Sequence, residues 1–126
     1  MLLDTCTFLW IAADAAELSA TARKTFADAE NEIYFSAASG WEIAVKHAMG
    51  RLPLPSPPHQ FVPAQRQAHG IEALPLDEES ALHVARLPLL HRDPFDRMLV
   101  CQALVAGLIL LTPDPDIGRY PVRTLW

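Results

Sequence analysis

The sequence predicts an α/β domain, a central, mainly parallel sheet of four to five strands flanked by helices. Three observations predict it. Short apolar runs at 1–4, 33–35, 71–74 and 108–111 alternate with stretches whose apolar residues recur at helical spacing. The runs are continuously apolar, as strands buried on both faces of a parallel sheet are. The chain has 126 residues, 51% hydrophobic and 20% charged, which suits one domain with a real core, and residues 1–126 are read as that single domain.

Taken in order, Met1-Leu2-Leu3-Asp4 reads as a buried strand beginning at the first residue. Phe8, Leu9, Ile11 and Ala12 suit a short helix after it. Ser19 is a plausible N-cap for a helix over about 20–29. Ile33-Tyr34-Phe35 is aromatic and β-branched, hence a strand. Ser36 or Ser39 caps the next helix, in which Trp41, Ala44, Val45 and Ala48 repeat at helical spacing and Gly50 marks the stop. Five of the eleven prolines fall between 53 and 63 and describe a stiff loop. A helix over about 58–68 follows, with Pro63 tolerable only in a first turn or at a kink. Residues 71–74 form a third strand, and Asp77 caps a helix reaching about 86. A further helix covers about 95–106, ended by Gly107. Residues 108–111 give a fully apolar strand, and 122–125 a last one.

Composition excludes several classes. Fifteen acidic against ten basic residues give a net charge of −5, so surplus positive charge cannot draw the chain to nucleic acid. The apolar stretch at 6–13, followed by Ala13-Asp14-Ala15, mimics a signal peptide, but the basic leader such a peptide needs is missing and the first charge is Asp4. No apolar run is long enough for a membrane span, and a cytoplasmic location is expected. Cys6 and Cys101 are too few for a disulfide framework and are expected as reduced thiols, Cys101 in the core. The histidines at 47, 59, 69, 83 and 91 form no zinc spacing, and His91 alone stands near the acids discussed next.

In parallel sheets ligands bind at the carboxyl ends of the strands. Asp4 ends the first strand and Asp114 follows the strand at 108–111. Asp96 opens the helix before that strand, and Glu42 lies early in the helix after the second strand. Asp93 is three residues before Asp96. Each has an ordinary reading as well: a helix-dipole partner for Asp96, an i,i+4 pair of Glu42 with Lys46, a turn residue for Asp114. Asp4 is harder to dismiss, because a carboxylate closing a buried strand costs free energy unless paired. Together the acids favour a hard divalent cation such as Mg²⁺ or Mn²⁺.

These residues stand in motifs. Met-Leu-Leu-Asp4-Thr5, Ser36-Ala37-Ala38-Ser39-Gly40-Trp41-Glu42-Ile43-Ala44-Val45-Lys46, His91-Arg92-Asp93-Pro94-Phe95-Asp96-Arg97-Met98-Leu99 and Leu111-Thr112-Pro113-Asp114-Pro115 together resemble the PIN-domain family, and more narrowly the VapC-type toxins of type II toxin–antitoxin pairs. The resemblance covers essentially the whole chain. It implies an α/β/α sandwich and a ribonuclease dependent on one or two Mg²⁺ or Mn²⁺ ions. It further implies a homodimer and silencing by a cognate VapB-like antitoxin. It places the catalytic and metal-binding acids on Asp4, Glu42, Asp96 and Asp114, with Asp93, Thr5 and Thr112 as supporting positions. Lys46, Arg92 and Arg97, with Arg51 behind them, are the candidates for RNA phosphate contacts, and tRNA or rRNA the candidate substrates. Trp10, Leu18 and Phe26, or the loop at 53–61, are candidate antitoxin contacts. Three positions depart from the family pattern: Cys6 stands where His is common, Gly40 where Ala is frequent, and Pro113 where Ala is common. Cys6 reads as a small half-buried residue with no chemical role.

Two other phosphate-handling classes fail on the residues. A haloacid-dehalogenase phosphatase needs an Asp where Cys6 stands, and a receiver domain needs a late lysine, whereas the lysines are Lys24 and Lys46. A non-catalytic PIN-like scaffold that binds RNA or a protein partner is the remaining alternative, and it ranks lower because all four acids are present.

Overall fold

The computed structural model describes all residues, 1–126. Five strands, β1 (Leu2–Leu3), β2 (Tyr34–Ser36), β3 (Glu72–Leu74), β4 (Leu110–Leu111) and β5 (Thr124–Leu125), form one sheet in the order β3-β2-β1-β4-β5. Every pairing is parallel, with Leu2 beside both Tyr34 and Leu110, and Leu111 beside Leu125. Six helices connect them: α1 (Thr5–Ala13), α2 (Ala20–Ala27), α3 (Ala37–Ala48), α4 (Pro58–Ala68), α5 (Glu78–His83) and α6 (Pro94–Ala106). No helix is long and apolar enough to cross a membrane.

Strand periodicity divides the core. Successive strand residues face opposite ways. Leu3, Phe35 and Leu111 therefore pack with Phe8, Ile11, Ala22, Ile43 and Phe61 from α1–α4 on one side. Leu2 and Leu110 pack with Leu99, Val100, Cys101 and Ala103 of α6, and with Ile117 and Tyr120, on the other. The central strands β1 and β4 have side chains buried on both faces, which is why they read as unbroken apolar runs, whereas β3 and β5 at the sheet edges are more exposed.

The helix boundaries follow local chemistry. Asp4, Ser19, Ser36, Asp77 and Asp93 cap α1, α2, α3, α5 and α6, each side chain accepting a hydrogen bond from a backbone N–H of the first turn. Between the two serines considered for α3, Ser36 is the cap, and it also donates to the buried Gln102 carbonyl, tying β2 to α6. Gly107 ends α6 in the left-handed region at φ +68°. Two expectations are corrected. The helix after Asp77 does not run on as α-helix to 86, but tightens at His83 into a 3₁₀ turn, Val84–Arg86. Pro63 does not lie in the first turn of α4 but inside the helix, as the sixth of eleven residues. A 3₁₀ turn at Ile117–Arg119 had no signal in the sequence.

The strand order puts the reversal of chain direction between β1 and β4: the chain moves outward through β2 and β3, then returns to build β4 and β5 on the other side. In doubly wound sheets that reversal opens a crevice at the strands' carboxyl ends. Asp4 and Thr112 flank it.

Gly40 sits within α3, and a methyl group there would meet only Phe35 Cε1 at 3.6 Å, an ordinary contact. Gly40→Ala should therefore stabilise the protein by about 0.5–1 kcal/mol through lower unfolded-state entropy and better helix propensity. Urea unfolding of the two proteins measures it, and a loss of stability would show that Phe35 cannot yield.

Candidate active site

Five acids, Asp4, Glu42, Asp93, Asp96 and Asp114, line one cleft of about 300 Å³ whose single basic residue is Lys46; Thr5, Cys6, Trp10 and Pro113 complete its wall. All four principal acids named from the sequence, and the supporting Asp93 and Thr5, are brought together. They come from the ends of β1 and β4 and the early turns of α3 and α6, so the sheet reversal and two helix starts build the site.

Each acid is held by its own device. Asp4, 5% exposed, accepts from the Thr7 N–H at 2.7 Å on one oxygen and from the Thr112 hydroxyl on the other. Thr112 in turn accepts the Asp114 N–H at 3.1 Å, so one buried hydroxyl couples two acids. Asp114 also accepts the Asp116 N–H at 2.8 Å. Glu42, buried, receives the Thr5 hydroxyl at 2.6 Å and pairs with Lys46 through its other oxygen. The Thr5 hydroxyl also lies 3.0 Å from Ser39 Oγ. Asp93 caps α6, one oxygen taking the Phe95 and Asp96 N–H groups at 2.9 and 3.0 Å. Asp96 is met by the His91 ring, Nε2 standing 3.4 Å from Oδ2.

Charge in the cleft is compensated only in part, by Lys46 on Glu42. Burial pushes the Asp4 carboxyl above its ordinary range, against the pull of its Thr112 and Thr7 hydrogen bonds. Asp96 is pushed up to about 7, first by burial and then by the Asp93 charge, with Asp114 and Glu42 adding to it. The Cys6 thiol is raised too, by burial and by Asp4 and Glu42, so it stays protonated. Hydrogen bonding to Glu42 raises Lys46. The donor chemistry fits a hard divalent cation: every acid offers oxygen, and a positive ion would relieve the repulsion. The side chains are not drawn into a closed cage, because no three His, Cys, Asp or Glu groups stand in a metal-holding array. Such partly open sites suit an ion that keeps several waters.

One sequence reading is corrected here. Arg97 is not free for phosphate. It is 9% exposed, and its guanidinium donates to Pro88 O at 2.8 Å, Tyr120 Oη at 3.0 Å and Leu87 O at 3.5 Å. Lys46 and Arg92 remain exposed, as does Arg51. Trp10 lines the acidic cleft and packs at a tilt against Trp126, ring centres 5.8 Å apart, whereas Leu18 and Phe26 line a separate groove with Ile11, Arg23 and His69. Cys6 stands at the rim of the cleft, its residue exposed while its thiol is in part desolvated. Tyr120 had no sequence signal; Ser39 was legible only as a possible helix cap and His91 only as the histidine near the acids.

Comparisons with known proteins bear on the family and the fold. A family model described as PIN domain matches residues 1–122. A curated relative, Ribonuclease VapC16 of Mycobacterium tuberculosis, is 37% identical over 73 residues, 58% of this chain and 50% of the relative. The match thus takes in about half the length of that relative. Among solved structures, VapBC2 from Rickettsia felis bound to a promoter DNA fragment superposes with a TM-score of 0.71 at 11% identity, covering 98% of this chain and 96% of that one. FitAcB from Neisseria gonorrhoeae does so with a TM-score of 0.67 at 18% identity, covering 99% and 96%. At such identities the likeness shows the fold.

The raised Asp96 carboxyl has a consequence for stability. Between the ordinary value of 3.8 and about 7 the folded state keeps a proton that the unfolded state has released, so stability falls as pH rises through that window. With metal removed by chelation, Asp96→Asn should flatten the fall in melting temperature between pH 4 and 7 relative to the parent. Parallel slopes would mean that Asp96 ionises as freely as an exposed carboxyl.

Proposed function

The chain belongs to the PIN domain family, and from that membership we propose that it is a Mg²⁺- or Mn²⁺-dependent endoribonuclease, the VapC-type toxin of a toxin–antitoxin pair. The observation that carries this reading is the convergence of five acids and one lysine on the crevice at the sheet reversal. The mycobacterial ribonuclease relative supports it.

The proposed reaction is hydrolysis of an RNA phosphodiester. The P–O3′ bond breaks, the oxygen of water joins phosphorus, and a proton passes to the 3′-oxygen, leaving 5′-phosphate and 3′-hydroxyl ends. Asp4, Asp96 and Asp114, with Glu42 directly or through water, would hold one or two divalent ions. Such an ion, when bound, acidifies water and neutralises charge on the phosphoryl group. The protein's share is placement. The Thr112 hydroxyl fixes the Asp4 carboxylate and the turn that carries Asp114. Thr5 and Lys46 fix Glu42 from opposite oxygens. With Lys46 engaged by Glu42, the exposed Arg92 would steady a flanking phosphate. Asp93, occupied as the α6 cap, supports the site through its charge.

The proposed substrate is tRNA or rRNA in the cytoplasm, and the proposed silencer a VapB-like antitoxin. The apolar groove of Leu18, Phe26 and Ile11, edged by Arg23 and His69, is the face suited to an antitoxin helix. A second copy of the chain is the partner proposed for another groove, which Trp41, 60% exposed, lines with Leu76, Val84, Phe95 and Met98. A two-fold dimer pairs such a patch with itself.

Asp4→Asn keeps the acceptor that caps α1 but removes a charge from the site. It should fold like the parent and fail to cleave RNA in Mn²⁺. The parent's unfolding free energy should rise by about 2.7 kcal/mol when Mn²⁺ reaches a hundred times its dissociation constant. A parent protein that ignores Mn²⁺ and leaves RNA intact would overturn the reading. For the dimer, Trp41→Glu should turn a dimer into a monomer in sedimentation velocity; an unchanged dimer would move the interface elsewhere.

A further inference from the structure

The buried phenol of Tyr120, which follows the 3₁₀ turn Ile117–Arg119, settles where the proton sits on His91. Tyr120 is 3% exposed. Its oxygen receives two N–H groups, Nη1 of Arg97 at 3.0 Å and the backbone N of His91 at 3.2 Å. A phenolic oxygen has two lone pairs and one proton. With both lone pairs taken, the hydroxyl acts as donor, and its nearest acceptor is His91 Nδ1 at 2.7 Å. The competing His91 carbonyl stands at 3.5 Å, too long to prevail. An Nδ1 that accepts carries no proton, so the neutral ring carries its proton on Nε2. That nitrogen is the one 3.4 Å from Asp96 Oδ2.

We infer that Arg97, Tyr120 and His91 are positioning residues for Asp96: they fix His91 as the Nε2–H tautomer and hold its ring as a hydrogen-bond donor to the carboxylate. Arg97 is itself pinned, since the second proton on Nη1 goes to Pro88 O at 2.8 Å. The relay runs from a fixed backbone loop through guanidinium, phenol and imidazole to one carboxylate of the cleft. Asp96 needs such a hold, because the neighbouring charges of Asp93, Asp114 and Glu42 would otherwise turn it away from the cleft. Groups that orient a metal-holding carboxylate commonly alter metal affinity by about ten- to a hundredfold when removed. That consequence rests on the proposed nuclease reading; the tautomer does not.

The test uses the full chain labelled with ¹⁵N, free of metal and at a pH above 7, where Asp96 is a carboxylate. Long-range ¹H–¹⁵N correlations of the His91 ring should show a protonated, pyrrole-type Nε2 and a bare, pyridine-type Nδ1. Tyr120→Phe removes the donor to Nδ1 and the acceptor for Arg97, and should release the ring into both tautomers. Mn²⁺ titration followed by electron spin resonance gives the second readout. His91→Gln presents an amide N–H near the place of Nε2–H and should keep affinity close to the parent. His91→Asn, whose amide reaches only to the Nδ1 position, should lose about ten- to a hundredfold, as should His91→Ala. Circular dichroism of each variant separates unfolding from loss of position. An Nδ1–H tautomer in the parent, or parent-like Mn²⁺ affinity in folded His91→Asn, would overturn the relay. A parent that binds no Mn²⁺ would overturn the nuclease reading instead, and the ring tautomer would still decide for or against the relay.

Discussion

One carboxylate, that of Asp4, joins the fold to its site. It closes the central strand β1, caps α1 through the Thr7 N–H, and receives the hydroxyl of Thr112 from the end of β4, 108 residues away in sequence. Burying an ion is costly unless hydrogen bonds replace its water. These two bonds replace part of that hydration but not all, since burial still holds the Asp4 carboxyl above its ordinary range. The residue that locks β1 to β4 is therefore also the one left short of positive charge. Structure and site cannot be separated at this position.

The same conflict spreads through the cleft. Acids on flexible side chains would relieve repulsion by turning outward. Here each is fastened: Asp4 and Asp114 through Thr112, Glu42 between Thr5 and Lys46, Asp93 on its own helix, Asp96 against His91. Fastening keeps the repulsion in place, and Asp96 shows it most, held to about 7 by burial and by Asp93. A domain that tolerates such a cluster gives up stability at one edge for function, the place where local consistency is expected to fail. The two dense core layers, on either side of the sheet, are what make that tolerable.

Much of this was legible in the sequence, and the physical reason differs from case to case. Strand positions were readable because β1 and β4 are buried on both faces and so carry unbroken apolar runs. The caps Ser19, Asp77 and the stop Gly107 were readable because their signals are local. Asp4, Glu42, Asp96 and Asp114 were readable because parallel topology sends strand ends and helix starts to one edge. Arg97 misled, since a cation beside an acidic motif looks alike whether it faces solvent or the Tyr120 hydroxyl. His91 and Tyr120 could not be paired from sequence: 29 residues separate them, and Tyr120 leaves a 3₁₀ turn that has no periodic signature. Pro63 sits inside α4, against a preference that tertiary packing of Phe61 and Val62 overrides.

The burial of Arg97 also sharpens the meaning of the −5 net charge. A cleft lined by five acids and one lysine repels a polyanion, and the motif arginine that looked able to offset this is turned inward to the Leu87 and Pro88 carbonyls. Lys46 is itself engaged by Glu42, which leaves Arg92 and Arg51 as the uncommitted positive groups singled out by the sequence. Two exposed arginines are a weak footprint beside the several phosphate contacts that ordinary electrostatic binding uses. On the proposed reading, the attraction for RNA must therefore come from the cation. Two divalent ions carry four positive charges and would move the formal balance from −5 to −1, with the whole change concentrated where the acids converge. The acidic composition that argues against nucleic-acid binding in bulk is then the means by which cation binding would govern when RNA can enter.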